Sequence, residues 1–201
     1  MIAGMSPMAL LLNAILAALA GFLLGNLWYR HRRALDRDRA RWSSLAERRG
    51  WHLVERAGGF AVIGNADQVA FHLSQGALAH GDLGVFLEAR IDRSPWVVIE
   101  VFALSSPIAY TARRPGDRVR TGDDAFDARF ATYASPPRRA AALCDAPLRA
   151  ALEGLPRPYL MVQNGIVVLI WPWDKLPTDA QLDAALAVLR ALAAHAAPAG
   201  N

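Results

Sequence analysis

The chain has 201 residues, of which 54% are hydrophobic and 20% charged, and its formal net charge is +4 at pH 7. This length fits one domain with an appendage and excludes a large multidomain protein, while the hydrophobic fraction excludes intrinsic disorder. The single cysteine excludes an intrachain disulfide and a multi-cysteine metal site.

An uncharged apolar stretch, MALLLNAILAALAGFLLGNLWY, occupies residues 8–29. As an α-helix it would be about 33 Å long, enough to cross the hydrocarbon core of a bilayer. We therefore predict an N-terminal transmembrane helix over residues 8–29, preceded by a short extracytoplasmic N-terminus over residues 1–7. The alternative is a cleaved signal peptide, with small residues at Ala18 and Ala20, but no Lys or Arg precedes the stretch.

Basic residues follow this stretch and do not precede it. Residues 30–50 contain eight arginines and three acidic residues. Because positively charged flanks stay in the cytoplasm, we predict a single-pass protein of the bacterial inner membrane, with its N-terminus outside and its C-terminal domain cytoplasmic. The predicted membrane-interface residues are Trp28, Tyr29, Arg30, Arg32 and Arg33.

The same segment holds the positive excess of the whole chain. Residues 51–201 carry fourteen basic and fifteen acidic residues, so they are nearly neutral. Arginines beside a bilayer gain about 1 kcal/mol each from anionic headgroups. We therefore expect the partner of residues 30–50 to be the lipid bilayer, and we expect no nucleic-acid partner.

Small or polar residues recur at every fourth position of the predicted span. This spacing places them on one helix face, where a second helix can approach closely. The predicted helix-dimer face consists of Asn13, Ala17, Gly21 and Gly25. A homodimer is one interpretation; the other is that Gly and Ala are simply common in membrane helices and in this chain.

Residues 30–50 predict a basic juxtamembrane helix, or charged helical stalk, that ends near Gly50. Leu35, Trp42 and Leu45 follow one narrow stripe of this helix. Two interpretations are open: the stripe packs Trp42 and Leu45 on the following domain, or it continues a dimer as a short parallel coiled coil.

Residues 51–197 predict one α+β domain, followed by a tail over residues 198–201. Alternating apolar residues predict half-buried strands at 69–74 and 85–92. The runs LGVFLEARI and WVVIEVFAL flank the turn residues 92–95, and we predict that they form a hairpin.

A second hairpin is predicted where residues 159–163 and 166–171 flank Asn164-Gly165, the pair preferred in a type I′ turn. Its second strand is apolar on both faces, which indicates a central strand covered by helices. Helices are predicted over RRAAAL, over APLRAALEG with Asp145 as its cap, and from about Pro177 to Pro198. The predicted fold is a mainly antiparallel sheet covered by C-terminal helices.

The stretch TGDDAFDARF begins at Thr121. Asp123 is predicted to cap a helical turn, and Phe126 and Phe130, four residues apart, to enter the same core. With the following helices and the second hairpin, the pattern Gly-Asp-x-x-Phe-Asp-x-x-Phe resembles the C-terminal half of uncharacterised bacterial membrane-anchored proteins of domain-of-unknown-function families. The resemblance covers residues 120–175, implies a single-pass membrane protein and brings no catalytic residues.

No phosphate loop, dinucleotide fingerprint, Gly-x-Ser-x-Gly elbow or His-Glu-x-x-His motif occurs in the sequence. We therefore assign no catalytic residue, metal or cofactor. Three weaker candidates are a metal cluster of His72, His80 and Asp82, a carboxylate pair of Glu88 and Glu100 across the first hairpin, and a reactive thiol at Cys144.

Four arginines surround Pro115-Gly116-Asp117 and predict an anion- or lipid-binding loop: Arg113, Arg114, Arg118 and Arg120. The alternative is that Asp123 and Asp124 neutralise them locally. Two functions follow as hypotheses. The first is a single-pass membrane protein whose cytoplasmic domain is a protein-interaction or regulatory module for an unknown protein partner. The alternative is a membrane-tethered enzyme acting on a small substrate.

Overall fold

The computed structural model describes residues 7–56, 59–78, 83–91, 97–110, 112–172 and 177–196, with the backbone alone at residues 7–15, 17, 18, 110, 139 and 140. The helices in this part are α1 (Pro7–Arg49), α2 (Asp124–Asp127), α3 (Pro137–Leu143), α4 (Ala146–Glu153) and α5 (Asp179–Ala196), with a short 3-10 helix at Pro107–Tyr110. The strands are β1 (His52–Arg56), β2 (Gly59–Ala66), β3 (Val69–Ala77), β4 (Leu83–Arg90), β5 (Val98–Ala103), β6 (Asp117–Val119), β7 (Phe130–Ser135), β8 (Tyr159–Gln163) and β9 (Ile166–Pro172).

The strands form one nine-stranded sheet in the order β1-β2-β3-β4-β9-β8-β5-β7-β6. Neighbouring strands are antiparallel throughout. One sheet face packs on α4, α5 and the end of α1 and carries the main core. The predicted α+β fold with an N-terminal helix, a mainly antiparallel sheet and a C-terminal helix is therefore confirmed.

The predicted Asn-Gly hairpin is present as β8 and β9. Asn164 and Gly165 have φ angles of 51° and 79°, as a type I′ turn requires. The outer face of β9 corrects one expectation: Ile166 remains 49% exposed there, because the helices cover only the face that carries Val167 and Leu169.

The predicted hairpin between β4 and β5 is wrong, because β9 and β8 lie between these two strands. Leu87 of β4 is opposite Leu169 of β9, and Val101 of β5 is opposite Leu160 of β8. All four side chains are buried. Alternation gives each strand an inner face but does not choose its neighbour, and here the more apolar hairpin occupies the centre of the sheet.

Helix α1 is continuous over 43 residues. Its last turns pack on the sheet, where Trp42 is 1% exposed and Leu45 and Ala46 are also buried. The helix ends before Gly50, whose φ of 66° an L side chain rarely adopts. Of the two interpretations of the stripe, packing on the domain is confirmed; a coiled coil through Trp42 and Leu45 is excluded, because the domain covers both.

In the part of α1 with described side chains, as in the other described helices, no apolar stretch is long enough to cross a membrane. The side chains of residues 8–15, 17 and 18, which belong to the predicted span, lie outside the described part. Residues 1–6 of the predicted N-terminus over residues 1–7, and the predicted tail over residues 198–201, lie outside it as well.

The predicted C-terminal helices are confirmed with their caps. Asp145 accepts a hydrogen bond from the Leu148 backbone N at 2.9 Å at the start of α4. Thr178 and Gln181 form a reciprocal capping box at the start of α5, with distances of 3.0 and 3.2 Å. These caps align the apolar faces of α4 and α5 with the sheet, so that Leu152 and Leu189 are fully buried.

Candidate functional site

The outer part of α1 presents large apolar side chains over more than half of its circumference. The exposed residues are Leu16, Leu19, Phe22, Leu23, Leu24 and Leu27. At about 100° per residue, these positions span an arc of about 200°, and Gly21 and Gly25 lie on the remaining face. No charged residue occurs in this stretch, and an uncharged helix of this kind is suited to burial in a membrane or in a large protein core.

The predicted interface residues lie next to this apolar arm, residues 16–27, and pair with each other along the helix. The Arg32 guanidinium carbon is 5.1 Å from the Trp28 ring centroid, and that of Arg33 is 4.5 Å from the Tyr29 ring centroid. Both are i, i+4 pairs with cation–π geometry. Arg30 is exposed beside them. The structure thus brings the five predicted residues together as a collar, residues 28–33.

On the predicted dimer face, Gly21 and Gly25 are surrounded by open space, with no heavy atom within 4 Å of an added Cβ. The side chain of Ala17 and that of Asn13 lie outside the described part. The dimer face stays a prediction.

The four predicted loop arginines lie at the opposite edge of the sheet from β1 and form what we call the arginine edge: Arg113, Arg114, Arg118 and Arg120. All four are exposed. Among the described residues, no carboxylate forms an ion pair with any of them. Local neutralisation is therefore not what the structure shows.

The nearby carboxylates have other partners. Asp123 accepts a hydrogen bond from the Phe126 backbone N at 3.0 Å, and its carboxylate lies 3.3 Å from Arg149 Nε. The Phe126 hydrogen bond and, secondarily, Arg149 hold the pKa of Asp123 below its usual value, although burial opposes this shift. Asp127 accepts hydrogen bonds from both the backbone N and the hydroxyl of Thr121.

The capped-turn interpretation of this motif is confirmed. Asp123 is the N-cap of α2, and Phe126 is fully buried beneath it. The Phe126 and Phe130 rings stack with their centroids 4.3 Å apart. The motif therefore closes the β6–β7 connection and holds one side of the arginine edge in place.

Sequence reasoning named Glu100 but missed its role, which is to hold the backbone on the other side of the arginine edge. Glu100 of β5 is 1% exposed, and its carboxylate accepts hydrogen bonds from the backbone N atoms of Arg113 and Arg114 at 3.3 and 2.9 Å. Burial and the adjacent Glu100 raise the pKa of Tyr159. One signal in the sequence could have indicated this role. Glu100 is a charged residue within an otherwise apolar strand, on the face opposite the main core.

The predicted pair of Glu88 and Glu100 is wrong. Their strands, β4 and β5, are separated by β9 and β8. Glu88 is exposed opposite Val168, whereas Glu100 is opposite Met161.

An aromatic platform supports the arginine edge. Arg118 is directly opposite Tyr133 in the β6–β7 register. The Arg114 guanidinium carbon is 6.0 Å from the Tyr133 ring centroid, and the Phe102 ring stacks on Tyr133 at 5.9 Å. Arg114 and Arg118 therefore lie beside the same aromatic side chain.

A cleft of about 480 Å³ opens next to this platform. Its lining residues are Arg118, Val119, Arg120, Asp124, Asp127, Ala128 and Phe130. Val119 and Phe130, which are themselves almost buried, form the apolar part of its lining. The charged part combines the guanidinium groups of Arg118 and Arg120 with the carboxylates of Asp124 and Asp127.

The remaining candidates do not form a site. In the described ranges no three His, Cys, Asp or Glu side chains are grouped to hold a metal ion, and His80 and Asp82 lie outside those ranges. The ring nitrogens of His72 have no hydrogen-bond partner, and burial, with Arg56 nearby, lowers its pKa. Cys144 is buried in the main core, and this burial raises its pKa to about 12. This favours the usual role of a lone cysteine, apolar packing, over that of a reactive thiol.

These features define an α+β domain with one antiparallel sheet, attached to a long N-terminal helix. No protein-family model matches the chain, and no curated protein matches it. Among solved structures, the chain is similar to the crystal structure of the mycobacterial trehalose monomycolate transport factor A, TtfA, with 14% sequence identity and a TM-score of 0.52. The similarity covers 81% of this chain and 94% of that chain, and it shows a shared fold alone.

Proposed function

We propose that the protein is a single-pass protein of the bacterial inner membrane whose cytoplasmic domain binds a partner protein. The observation that carries this proposal is the continuity of α1. One helix leads from an exposed apolar arm to Trp42 in the domain core. An element of this kind fixes the domain to whatever surrounds the arm.

The proposed surroundings of the arm are lipid. Its large apolar side chains cover more than half of the helix circumference without a charged residue among them, and the collar of aromatic and arginine residues follows where the helix would leave the hydrocarbon. The arginines of residues 30–50 would contact anionic headgroups on the cytoplasmic side. This arrangement supports an N-terminus outside and a cytoplasmic domain.

The domain would then stand at a defined distance from the bilayer. Tyr29 and Trp42 are thirteen residues apart on one helix, which corresponds to about 20 Å. At its end, Arg49 forms ion pairs with Asp179 and Asp183 at 2.9 and 2.7 Å, and so ties α1 to the start of α5. The arm and the domain are joined by a helix and not by a flexible linker.

Binding, rather than catalysis, is the proposed task of the domain. The arginine edge offers guanidinium groups without ion pairs to the described carboxylates, beside a cleft lined by both apolar and charged residues. The protein of similar fold is a transport factor for trehalose monomycolate. We infer an accessory role in a membrane process for this chain as well.

Membrane integration is tested by carbonate extraction of cell membranes. Arginine at Phe22, Leu23 and Leu24 together should release the full-length chain into the soluble fraction, since each Arg at a helix centre costs about 3 kcal/mol of insertion free energy. The matched control places arginine at Leu83, Leu104 and Ile166, which are similarly exposed on the domain, and should stay in the membrane. A wild-type chain that carbonate extracts would contradict the proposal.

A further inference from the structure

We propose that the outer edge of β6 binds an acidic, extended segment of the partner protein by strand addition. This inference rests on the proposed function, because it names the surface and the chemistry by which the domain would bind its partner. It is carried by three features of the arginine edge: a strand at the end of the sheet, exposed arginines without ion pairs to the described carboxylates, and an adjacent cleft with an apolar part at Val119 and Phe130.

The edge strand is β6. It has one neighbour in the sheet, β7, and ends the strand order on that side, and helix α3 also contacts it. At the other end of the sheet, β1 packs against α1, and Arg39 of that helix forms an ion pair with Glu55 at 2.8 Å. An edge strand presents backbone N–H and C=O groups to which an extended segment can pair.

The charge is arranged to select an acidic segment. Arg118 lies in β6, Arg120 follows the last residue of that strand, and both line the same cleft. Arg114 lies over the Tyr133 ring, which is opposite Arg118 in the register. None of these guanidinium groups has a carboxylate partner among the residues described. Carboxylates at every second position of an added strand would meet them with opposite charge.

The cleft supplies the alternate positions. Val119, between the two arginines, faces the core, and with Phe130 and Ala128 it forms the apolar part of the 480 Å³ cleft. An added strand would direct its intervening side chains toward that side. The segment that fits has alternating acidic and apolar residues.

The arginines would also serve to keep the edge from pairing with other strands, since charged residues commonly protect sheet edges. Protection alone needs no aromatic support beneath the arginines and no apolar cleft beside them. Docking uses both features, and it accounts for Glu100 holding the backbone of Arg113 and Arg114 in place.

The test uses the detergent-solubilised full-length chain and a fluorescein-labelled hexapeptide of alternating Glu and Val. We expect binding by fluorescence anisotropy, and we expect a peptide of alternating Glu and Pro, with the same charge but fewer backbone N–H groups, not to bind. Arg118→Glu with Arg120→Glu should weaken binding about tenfold or more, since it replaces two attractive pairs by two repulsive ones.

The control is Arg56→Glu with Arg157→Glu, which reverses two exposed arginines elsewhere on the domain and should leave binding unchanged. Equal binding of the two peptides, no binding of either, or full binding by the Arg118 and Arg120 variant would overturn the proposal. Loss of peptide binding in phosphatidylglycerol nanodiscs but not in phosphatidylcholine nanodiscs would assign the arginines to lipid and overturn it too. If the chain binds the peptide but carbonate extracts it from membranes, the proposed membrane anchor is contradicted and the proposed peptide site is not.

Discussion

The two ends of α1 have the same secondary structure and opposite surroundings. Trp28 in the collar is 60% exposed, whereas Trp42 near the domain end is 1% exposed. The contrast shows that one unbroken helix joins two environments: the domain supplies the cover for its last turns, and nothing in the described part of the chain covers its apolar arm. The membrane proposal is based on this exposed apolar surface, which a lipid bilayer would cover.

The largest expected effect comes from removing the buried tryptophan. Trp42→Ala leaves a cavity where α1 meets the sheet and should lower the free energy of unfolding by about 3–5 kcal/mol. Trp28→Ala should change it by about 0.5 kcal/mol or less, because the ring has no part in the core. Urea unfolding of the full-length chain in mild detergent, followed by circular dichroism, measures both. Equal losses for the two variants would mean that the ends of the helix do not differ as described.

The sheet offers a second comparison between a buried and an exposed residue of the same type, Glu100 and Glu88. Glu100→Gln replaces a buried carboxylate that accepts two backbone hydrogen bonds, and should cost about 2 kcal/mol of unfolding free energy. It should also speed proteolysis next to Arg113. Glu88→Gln, at an exposed position of β4, should be almost neutral in both assays. If Glu100→Gln is neutral as well, Glu100 does not seat the arginine edge.

The smallest effect concerns the ion pairs that end α1. The hydrogen bond from Arg49 lowers the pKa of Asp179 below its unperturbed value of 3.8. A carboxylate with a lowered folded-state pKa stabilises the fold above its unfolded pKa, and this contribution is lost as the pH falls through the folded pKa. The wild-type chain should therefore be slightly more stable than Asp179→Asn above about pH 4, and the difference should vanish at lower pH. A difference that grows on acidification would contradict this account.

The parts of the fold that the sequence predicts are those set by local chemistry. Asn164-Gly165 defines a tight turn, Asp145 and Asp123 cap helices, and the breaker-free stretch before Gly50 continues one helix. Each feature depends on neighbouring residues alone. The structure confirms these features because the tertiary contacts favour the same local conformations as the neighbouring residues do.

Strand order was beyond the sequence because it depends on which apolar surfaces match across the sheet. β4 and β5 are close in sequence and carry the same alternation, yet the Asn-Gly hairpin lies between them. The same error produced the false pair of Glu88 and Glu100 and concealed the contact of Glu100 with the arginine edge. The four arginines stand out in the sequence by their spacing, and their role in binding stays a prediction; their lack of ion pairs with the described carboxylates depends on caps that only the folded chain shows.

The central claim, that α1 holds the domain at the cytoplasmic face of the inner membrane, is tested most directly by reporter fusions at Asn201. A fluorescent protein that folds only in the cytoplasm should be active there and remain with the membrane fraction. Alkaline phosphatase, which needs an oxidising compartment, should be inactive at the same position. Active alkaline phosphatase with no fluorescence, or fluorescence confined to the soluble fraction, would contradict the claim.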